Sequence, residues 1–162
     1  MMEASVTDVA KFSFSGGNLT LDFFVNSNPK DGISCHKFIQ DKYPITSKKE
    51  ERISLFIEKL NVKLSGIIDG IHFVNSHIVI EEIKTTSINV DKINEDYHKE
   101  HYGQLLLYSY MYMINNELTE IKANLNYINI IDYSNKKIDY EFKLVDISSL
   151  VFDALSKYIE WL

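Results

Sequence analysis

The stretch that decides the fold runs from Leu64-Ser65-Gly66-Ile67-Ile68-Asp69-Gly70 to Glu81-Glu82-Ile83-Lys84-Thr85-Thr86. The two halves of this stretch are largely apolar and rich in β-branched residues, which is typical of strands. Asn75-Ser76, between the halves, indicates the tip of a hairpin. If Val74 faces His77 across this tip, the same register places Asp69 directly opposite Glu82. The sequence therefore predicts a β-hairpin in which two carboxylates oppose each other near one end.

Asp69, Glu82 and Lys84 share one face of this hairpin, because side chains alternate along a strand. Opposed side chains have Cβ atoms roughly 4.5–5.5 Å apart, where like charges repel. A divalent cation would offset that repulsion, and carboxylate oxygens, with the carbonyl of Ile83, are suitable ligands for Mg²⁺ or Mn²⁺. A metal beside a lysine suits phosphodiester cleavage. The alternative is an ordinary cross-strand cluster in which the lysine neutralises two acids; Glu81 lies on the opposite face and is expected to be structural.

The composition indicates one globular domain. The chain has 162 residues, of which 45% are hydrophobic and 25% charged, as in soluble proteins. It has no apolar run of membrane-spanning length and no export signal, so we expect a cytoplasmic protein with no membrane partner. The single cysteine, Cys35, excludes an internal disulfide and a four-cysteine iron–sulfur cluster.

The net charge is −6, whereas nucleic-acid-binding proteins usually present a basic surface. Either a partner domain supplies the phosphate-binding surface, or the protein does not act on nucleic acid. The charge also leaves open a module that docks without catalysis.

The hydrophobic periodicity along the chain predicts a mixed α/β domain, with a central sheet flanked by helices. Ser34 is expected to cap a helix that runs to about residue 42. Ser15-Gly16-Gly17-Asn18 is expected to form a turn, and residues 26–32 a loop. The remaining expected elements are a helix over 6–14, a strand over 52–60, the hairpin over 63–74 and 77–85, a helix over 99–114, strands over 121–131 and 136–144, and a last helix capped by Asp146.

Two of these helices carry further candidate residues. His36 is a possible metal ligand, since neutral imidazole binds Mn²⁺, although a histidine early in a helix is more often structural. Gln40 lies one turn after it. On the long helix, His101, Gln104 and Tyr108 share one face and could contact phosphate. The alternative is a stripe that faces the core and whose polar groups are satisfied by the backbone.

These residues resemble known motifs. Asp69, followed by Glu82-Ile83-Lys84, resembles the signature of PD-(D/E)xK nucleases, with Ile68 where a proline is usual. Gly32-Ile33-Ser34-Cys35-His36-Lys37-Phe38-Ile39-Gln40 is similar to the histidine motif of RecB-like exonucleases, and Gln104-Leu105-Leu106-Leu107-Tyr108 to their QxxxY motif. In this order the motifs resemble the nuclease domain at the N-terminus of some bacterial DNA helicases, which is related to CRISPR-associated RecB-like exonucleases.

The resemblance implies a restriction-endonuclease-like core, and a single RecB-like nuclease domain over residues 1–162 that comes from a longer helicase-containing chain. It also implies that the four-cysteine cluster of many relatives is absent here. The roles that it implies are metal ligation by His36, Asp69 and Glu82, catalysis by Lys84, and substrate contacts by Gln104 and Tyr108, with Gln40 and His101 as further candidates.

The function expected from these residues is Mg²⁺- or Mn²⁺-dependent hydrolysis of DNA. By resemblance, the enzyme acts as an exonuclease on single strands and works with a helicase in DNA repair or processing. The alternative is a non-catalytic module that docks DNA or a helicase, and a third option is a hydrolase of small phosphoesters. An intact set of Asp69, Glu82 and Lys84 favours the enzyme, because a decayed site would have lost at least one member.

Overall fold

The computed structural model describes residues 1–15 and 29–162. The expected turn at Ser15-Gly16-Gly17-Asn18 lies outside them, apart from its first residue. The strands are β1 (Met2–Ser5), β2 (Lys48–Ile57), β3 (Val62–Val74), β4 (His77–Thr86), β5 (Glu120–Asn129) and β6 (Asn135–Lys143). The helices are α1 (Val6–Phe14), α2 (Pro29–Gln40), α3 (Lys99–Asn115) and α4 (Leu144–Trp161).

The long strand β3 organises the sheet. On one edge it pairs antiparallel with β2 over residues 62–71. On the other edge it pairs first with β1, parallel, over residues 62–65, and then with β4, antiparallel, over residues 70–74. Between these two partners β3 leaves a gap on that edge at residues 66–69, which we call the fork. The site described below is built around it.

The other strands complete a mixed sheet. Strand β5 pairs parallel with β4 after the crossover through α3, and β6 pairs antiparallel with β5. The expected mixed α/β architecture, a central sheet flanked by helices, is thus confirmed. Among the described residues, no helix is both long and apolar enough to cross a membrane.

Each face of the sheet is covered by different helices. On one face, α1, α3 and α4 pack over side chains such as Ile80 and Leu125 in the main core. On the other face, α2 packs over a smaller apolar cluster that contains Cys35, Ile83 and Ile128. Because β4 and β5 contribute alternate residues to both faces, neighbouring residues on these strands serve different sides of the sheet.

Several boundaries differ from the expected ones. Helix α2 begins at Pro29 rather than Ser34, because proline fits the first turn of a helix, so the loop expected over 26–32 is wrong from Pro29 onward. Strand β2 begins at Lys48, in a polar run, because pairing with β3 extends it. Strand β1 was not expected, since four residues are too few for a periodic pattern.

Candidate active site

Asp69 lies at the fork, where β3 and β4 stop pairing. The register matches the expected one from Val74 opposite His77 to Gly70 opposite Glu81. Beyond that pair, Oδ2 of Asp69 accepts a hydrogen bond of 2.8 Å from the main-chain N–H of Ile83. Asp69 is almost completely buried. The carboxylate therefore satisfies a buried strand N–H at the point where the β3–β4 pairing ends.

Glu82 and Lys84 lie close to Asp69, although the pairing of β3 with β4 ends at Gly70 and Glu81 and does not include the expected pair of Asp69 with Glu82. The Asp69 and Glu82 carboxyls lie close enough for each to shift the pKa of the other. Nζ of Lys84 lies 3.5 Å from Oε1 of Glu82. Oε2 of Glu82 is buried and has no hydrogen-bond partner among residues 1–15 and 29–162. The structure therefore brings the three residues into one cluster and leaves one carboxylate oxygen of Glu82 available.

The two carboxyls perturb each other. Burial raises the pKa of Asp69, although His36, the Ile83 N–H and Lys84 act in the opposite direction. Burial and the charge of Asp69 raise the pKa of Glu82 well above its usual value, and Lys84 offsets only part of this. The pair therefore retains protons to higher pH than isolated carboxyls, and a divalent cation would compete with those protons.

Helix α2 holds Asp69 at two points. Nδ1 of His36 lies 3.7 Å from Oδ1 of Asp69. One turn later, Nε2 of Gln40 donates a hydrogen bond of 3.0 Å to the main-chain carbonyl of Asp69. Residues four apart share one helix face, so a single face of α2 fixes both the backbone and the side chain of this acid. Gln40 thus contacts the site through Asp69, and its role toward substrate stays a prediction.

The donor set fits a hydrated divalent cation. Oδ1 of Asp69 and Oε2 of Glu82 are the oxygens not engaged with Ile83 or Lys84. In the described part of the chain, no group of three or more His, Cys, Asp or Glu side chains is arranged to hold a metal. Two carboxylates with water in the other positions are typical of Mg²⁺. Ligation by His36 and by the Ile83 carbonyl stays a prediction.

Tyr108 of α3 fills the fork. Its hydroxyl accepts a hydrogen bond of 3.3 Å from the main-chain N–H of Ile67. Its ring lies against Gly66, where an added Cβ would come within 2.7 Å of the ring and the hydroxyl. Burial, with the nearby charge of Glu82, raises its pKa. Tyr108 thus supplies the polar partner that β3 lacks at the fork. Gln104 is buried one turn earlier, and substrate contact by either residue stays a prediction.

His101 lies near Lys84, on the other side of the cluster. Its Nδ1 is 2.9 Å from the hydroxyl of Tyr127, and its ring stacks on that of His98 at 3.7 Å. Burial and the charge of Lys84 hold the pKa of His101 well below its usual value. The imidazole is therefore neutral, and it adds no second positive charge beside the lysine.

Sequence reasoning missed a polar cavity next to His36, which is lined by two lysines and by the acids Asp41 and Glu50. The cavity has a volume of about 760 Å³, and its lining includes Lys37 and Lys49. Both lysines are exposed. The position of Lys37 beside the cavity could have been predicted from the sequence, since this residue follows His36 directly. Lys49 could not, because it lies near His36 only through the pairing of β2 with β3. These two cations could contact phosphates next to the carboxyl pair.

Comparisons with known proteins agree with this geometry. Residues 34–161 match the sequence model of the PD-(D/E)XK nuclease superfamily. The chain is similar in fold to a solved structure titled "Crystal structure of SSO0001", with a TM-score of 0.55 and 18% identity, over 95% of this chain and 75% of that one. No curated protein matches the sequence. Over residues 1–15 and 29–162, a mixed sheet between four helices is consistent with a restriction-endonuclease-like fold.

Proposed function

Because the chain belongs to the PD-(D/E)XK nuclease superfamily, we propose that it is a metal-dependent nuclease that hydrolyses phosphodiester bonds of DNA. The observation that carries this proposal is the buried pair of carboxyls Asp69 and Glu82, with Nζ of Lys84 3.5 Å from Oε1 of Glu82. Such a pair is costly to bury without a compensating charge. A cation on the pair supplies that charge and makes the cluster useful for phosphate chemistry.

The chain's own residues have separate tasks in this proposal. Asp69 and Glu82 hold Mg²⁺ or Mn²⁺, which when bound polarises the scissile phosphate and acidifies a water ligand. Lys84 orients the attacking water or stabilises negative charge in the transition state. Lys37 and Lys49 contact the phosphates of the strand in the neighbouring cavity.

The finer proposal is an exonuclease that acts on single-stranded DNA together with a helicase, in DNA repair or processing. It is supported by the order of the RecB-like motifs and by the net charge of −6. An acidic domain gains little from non-specific attraction to DNA, so a motor that delivers the strand would compensate.

A cleavage assay tests the proposal. Single- and double-stranded DNA of one sequence, labelled at the 5′ or the 3′ end, is incubated with the protein in Mg²⁺, Mn²⁺ or EDTA. We expect metal-dependent shortening of the single strand. Glu82→Gln should abolish the shortening, whereas Glu120→Gln, an exposed acid on β5, should preserve it.

Calorimetry with Mn²⁺ separates an enzyme from a docking module. Binding that disappears in Asp69→Ala and in Glu82→Ala supports the nuclease. A native protein that neither binds Mn²⁺ nor cleaves DNA in the presence of a helicase would instead be a docking module. Competition by mononucleotides as effective as that by oligonucleotides would favour a hydrolase of small phosphoesters.

A further inference from the structure

The end of α2 and the short segment after it hold both strands where the β3–β4 pairing ends. Gln40, the last residue of α2, donates to the main-chain carbonyl of Asp69 on β3. The carbonyl of the same glutamine accepts a hydrogen bond of 3.1 Å from the main-chain N–H of Tyr43. The hydroxyl of Tyr43 in turn donates a hydrogen bond to Oε2 of Glu81 on β4. One turn of chain therefore contacts β3 through Gln40 and β4 through Tyr43.

The Tyr43 hydroxyl lies over the last residues that pair. Glu81 and Gly70 are the last partners in the β3–β4 register, and Glu82 and Asp69 are the next residues on the two strands. A Cβ added to Gly70 would come within 2.5 Å of the Tyr43 hydroxyl, so a side chain at this position would displace the tyrosine. The hydroxyl is thus fixed immediately beside the carboxyl pair, on the opposite face of the sheet.

Glu81 is held from a second side as well. The residue is fully buried, and its Oε1 lies 3.6 Å from Nε2 of His72 and 3.7 Å from Nζ of Lys137. Burial alone would raise the pKa of this carboxyl, but these two groups and the Tyr43 hydroxyl outweigh burial, and the pKa is lowered. Glu81 is therefore an anchored, ionised acid, and its position fixes that of the strand that carries it.

The carboxyl pair needs such an anchor. Without a cation, two buried like charges repel and favour separation of the strands that carry them. Beyond the last pair, β3 and β4 are joined by the hydrogen bond from the Ile83 N–H to Asp69 rather than by regular pairing. Because side chains alternate along β4, fixing Glu81 on the α2 side of the sheet directs Glu82 to the other side.

We propose that Tyr43 and Glu81 are positioning residues of the nuclease site, an inference that rests on the function proposed above. Their hydrogen bond holds β4 one residue before Glu82, while Gln40 holds β3 at Asp69. Together these contacts keep the two carboxyls at a separation that one cation can bridge. Gln40, Tyr43 and Glu81, which we call the α2 clamp, therefore act on the metal through the two acids.

Tyr43→Phe tests the α2 clamp, because it keeps the ring against Gly70 and removes only the hydroxyl. Calorimetry should show Mn²⁺ binding weakened by about tenfold, as is usual when a group that orients a metal ligand is lost. In EDTA, exchange of the Ile83 amide measured by NMR should become about tenfold faster relative to the amides of β5. This N–H donates to Asp69 and so reports the position of that acid without metal.

The matched control is Tyr97→Phe, which removes a hydroxyl that lies 3.3 Å from Oγ1 of Thr86 at the other end of β4. It should leave the Mn²⁺ affinity and the relative exchange of the Ile83 amide at native values. A second pair of variants tests the hydrogen bond from its other partner. Glu81→Leu should weaken Mn²⁺ binding by about tenfold, and Glu81→Gln should recover most of this loss, because its amide oxygen can still accept from Tyr43.

The inference is overturned if Tyr43→Phe keeps native Mn²⁺ affinity, if Tyr97→Phe loses as much, or if Glu81→Gln binds as weakly as Glu81→Leu. A native protein that binds no Mn²⁺ contradicts the nuclease proposal instead. In that case, exchange of the Ile83 amide in EDTA still decides whether the α2 clamp holds Asp69. Failure of the clamp and failure of the nuclease proposal therefore give different results.

Discussion

Oδ2 of Asp69 accepts a hydrogen bond of 2.8 Å from the main-chain N–H of Ile83. This contact joins β3 to β4 where their regular pairing has ended. The other oxygen of the same carboxylate, Oδ1, lies 3.7 Å from Nδ1 of His36. An acid that we propose as a metal ligand is therefore also part of the scaffold, and its substitution should affect stability as well as activity.

Asp69→Ala should lower the free energy of unfolding by about 1–3 kcal/mol, because it leaves the Ile83 N–H buried without an acceptor. Asp69→Asn should lower the free energy of unfolding by less. The amide oxygen can still accept the hydrogen bond from the Ile83 N–H, and the charge repulsion with Glu82 is removed. Urea denaturation measures both variants. Equal stability losses in the two would contradict the role assigned to this hydrogen bond.

Lys84→Met should reduce cleavage by about 10²–10³-fold, because it removes a positive charge next to the proposed metal site. The matched control is Lys122→Met, an exposed lysine on the next strand, which should cleave at the native rate. Initial rates at saturating Mg²⁺ provide the measurement. Near-native cleavage by Lys84→Met would remove this residue from the mechanism.

Divalent metal should stabilise the protein more as the pH rises. The folded pKa values of Asp69 and Glu82 are raised, whereas those in the unfolded chain stay near 4. Without metal, the folded state therefore loses stability as the pH increases above about 4 and through the folded pKa values. A cation competes with the retained protons, so the increase in Tm caused by Mg²⁺ or Mn²⁺ should grow from about pH 5 to about pH 8.

Thermal denaturation in metal and in EDTA across this pH range measures the effect. In Glu82→Gln the difference between the Tm in metal and the Tm in EDTA should become small at every pH, because one of the two carboxylates is gone. A native Tm increase that is independent of pH would show that the metal binds elsewhere.

Tyr108→Phe should lower the free energy of unfolding by about 1 kcal/mol, because the Ile67 N–H loses its acceptor at the fork. Tyr112→Phe, which alters a half-buried tyrosine on the same helix, should be close to neutral. Urea denaturation compares them. If Tyr108→Phe instead raises the KM for DNA with no loss of stability, the hydroxyl contacts substrate, as its place in the QxxxY motif predicts.

Gly66→Ala should destabilise the protein by about 1–3 kcal/mol, since a Cβ would lie 2.7 Å from Tyr108. Gly32→Ala is the matched control: Gly32 lies within α2, and a Cβ there meets no atom within 4 Å. The control should be neutral or stabilising by roughly 0.4–1 kcal/mol. Comparable losses in both variants would argue against tight packing at the fork.

The hairpin could be predicted from the sequence because the residues that specify it are neighbours in the chain. Asn75-Ser76 marks the tip, and the alternation of apolar residues fixes which side chains share a face. Together these placed Asp69 near Glu82 and Lys84, and the structure brings the three together. Helix α3 was equally predictable in extent, since its apolar residues are continuous over many turns.

The surroundings of that hairpin could not be predicted, because they depend on contacts between distant parts of the chain. Gln40 reaches the carbonyl of Asp69 only because α2 packs across β4. The predicted start of β2 was wrong for a similar reason. Its first residues are polar and form a strand only because they pair with β3.

The sequence by itself determined the hairpin and its register from the tip to the pair Gly70–Glu81, since a two-residue turn and a period of two leave one arrangement for neighbouring strands. Only the tertiary structure decided that Tyr108 closes the fork and that Asn124 stands beside Glu81. The register of parallel strands that a helix separates is set by packing of the whole core, and no local pattern in the sequence encodes it.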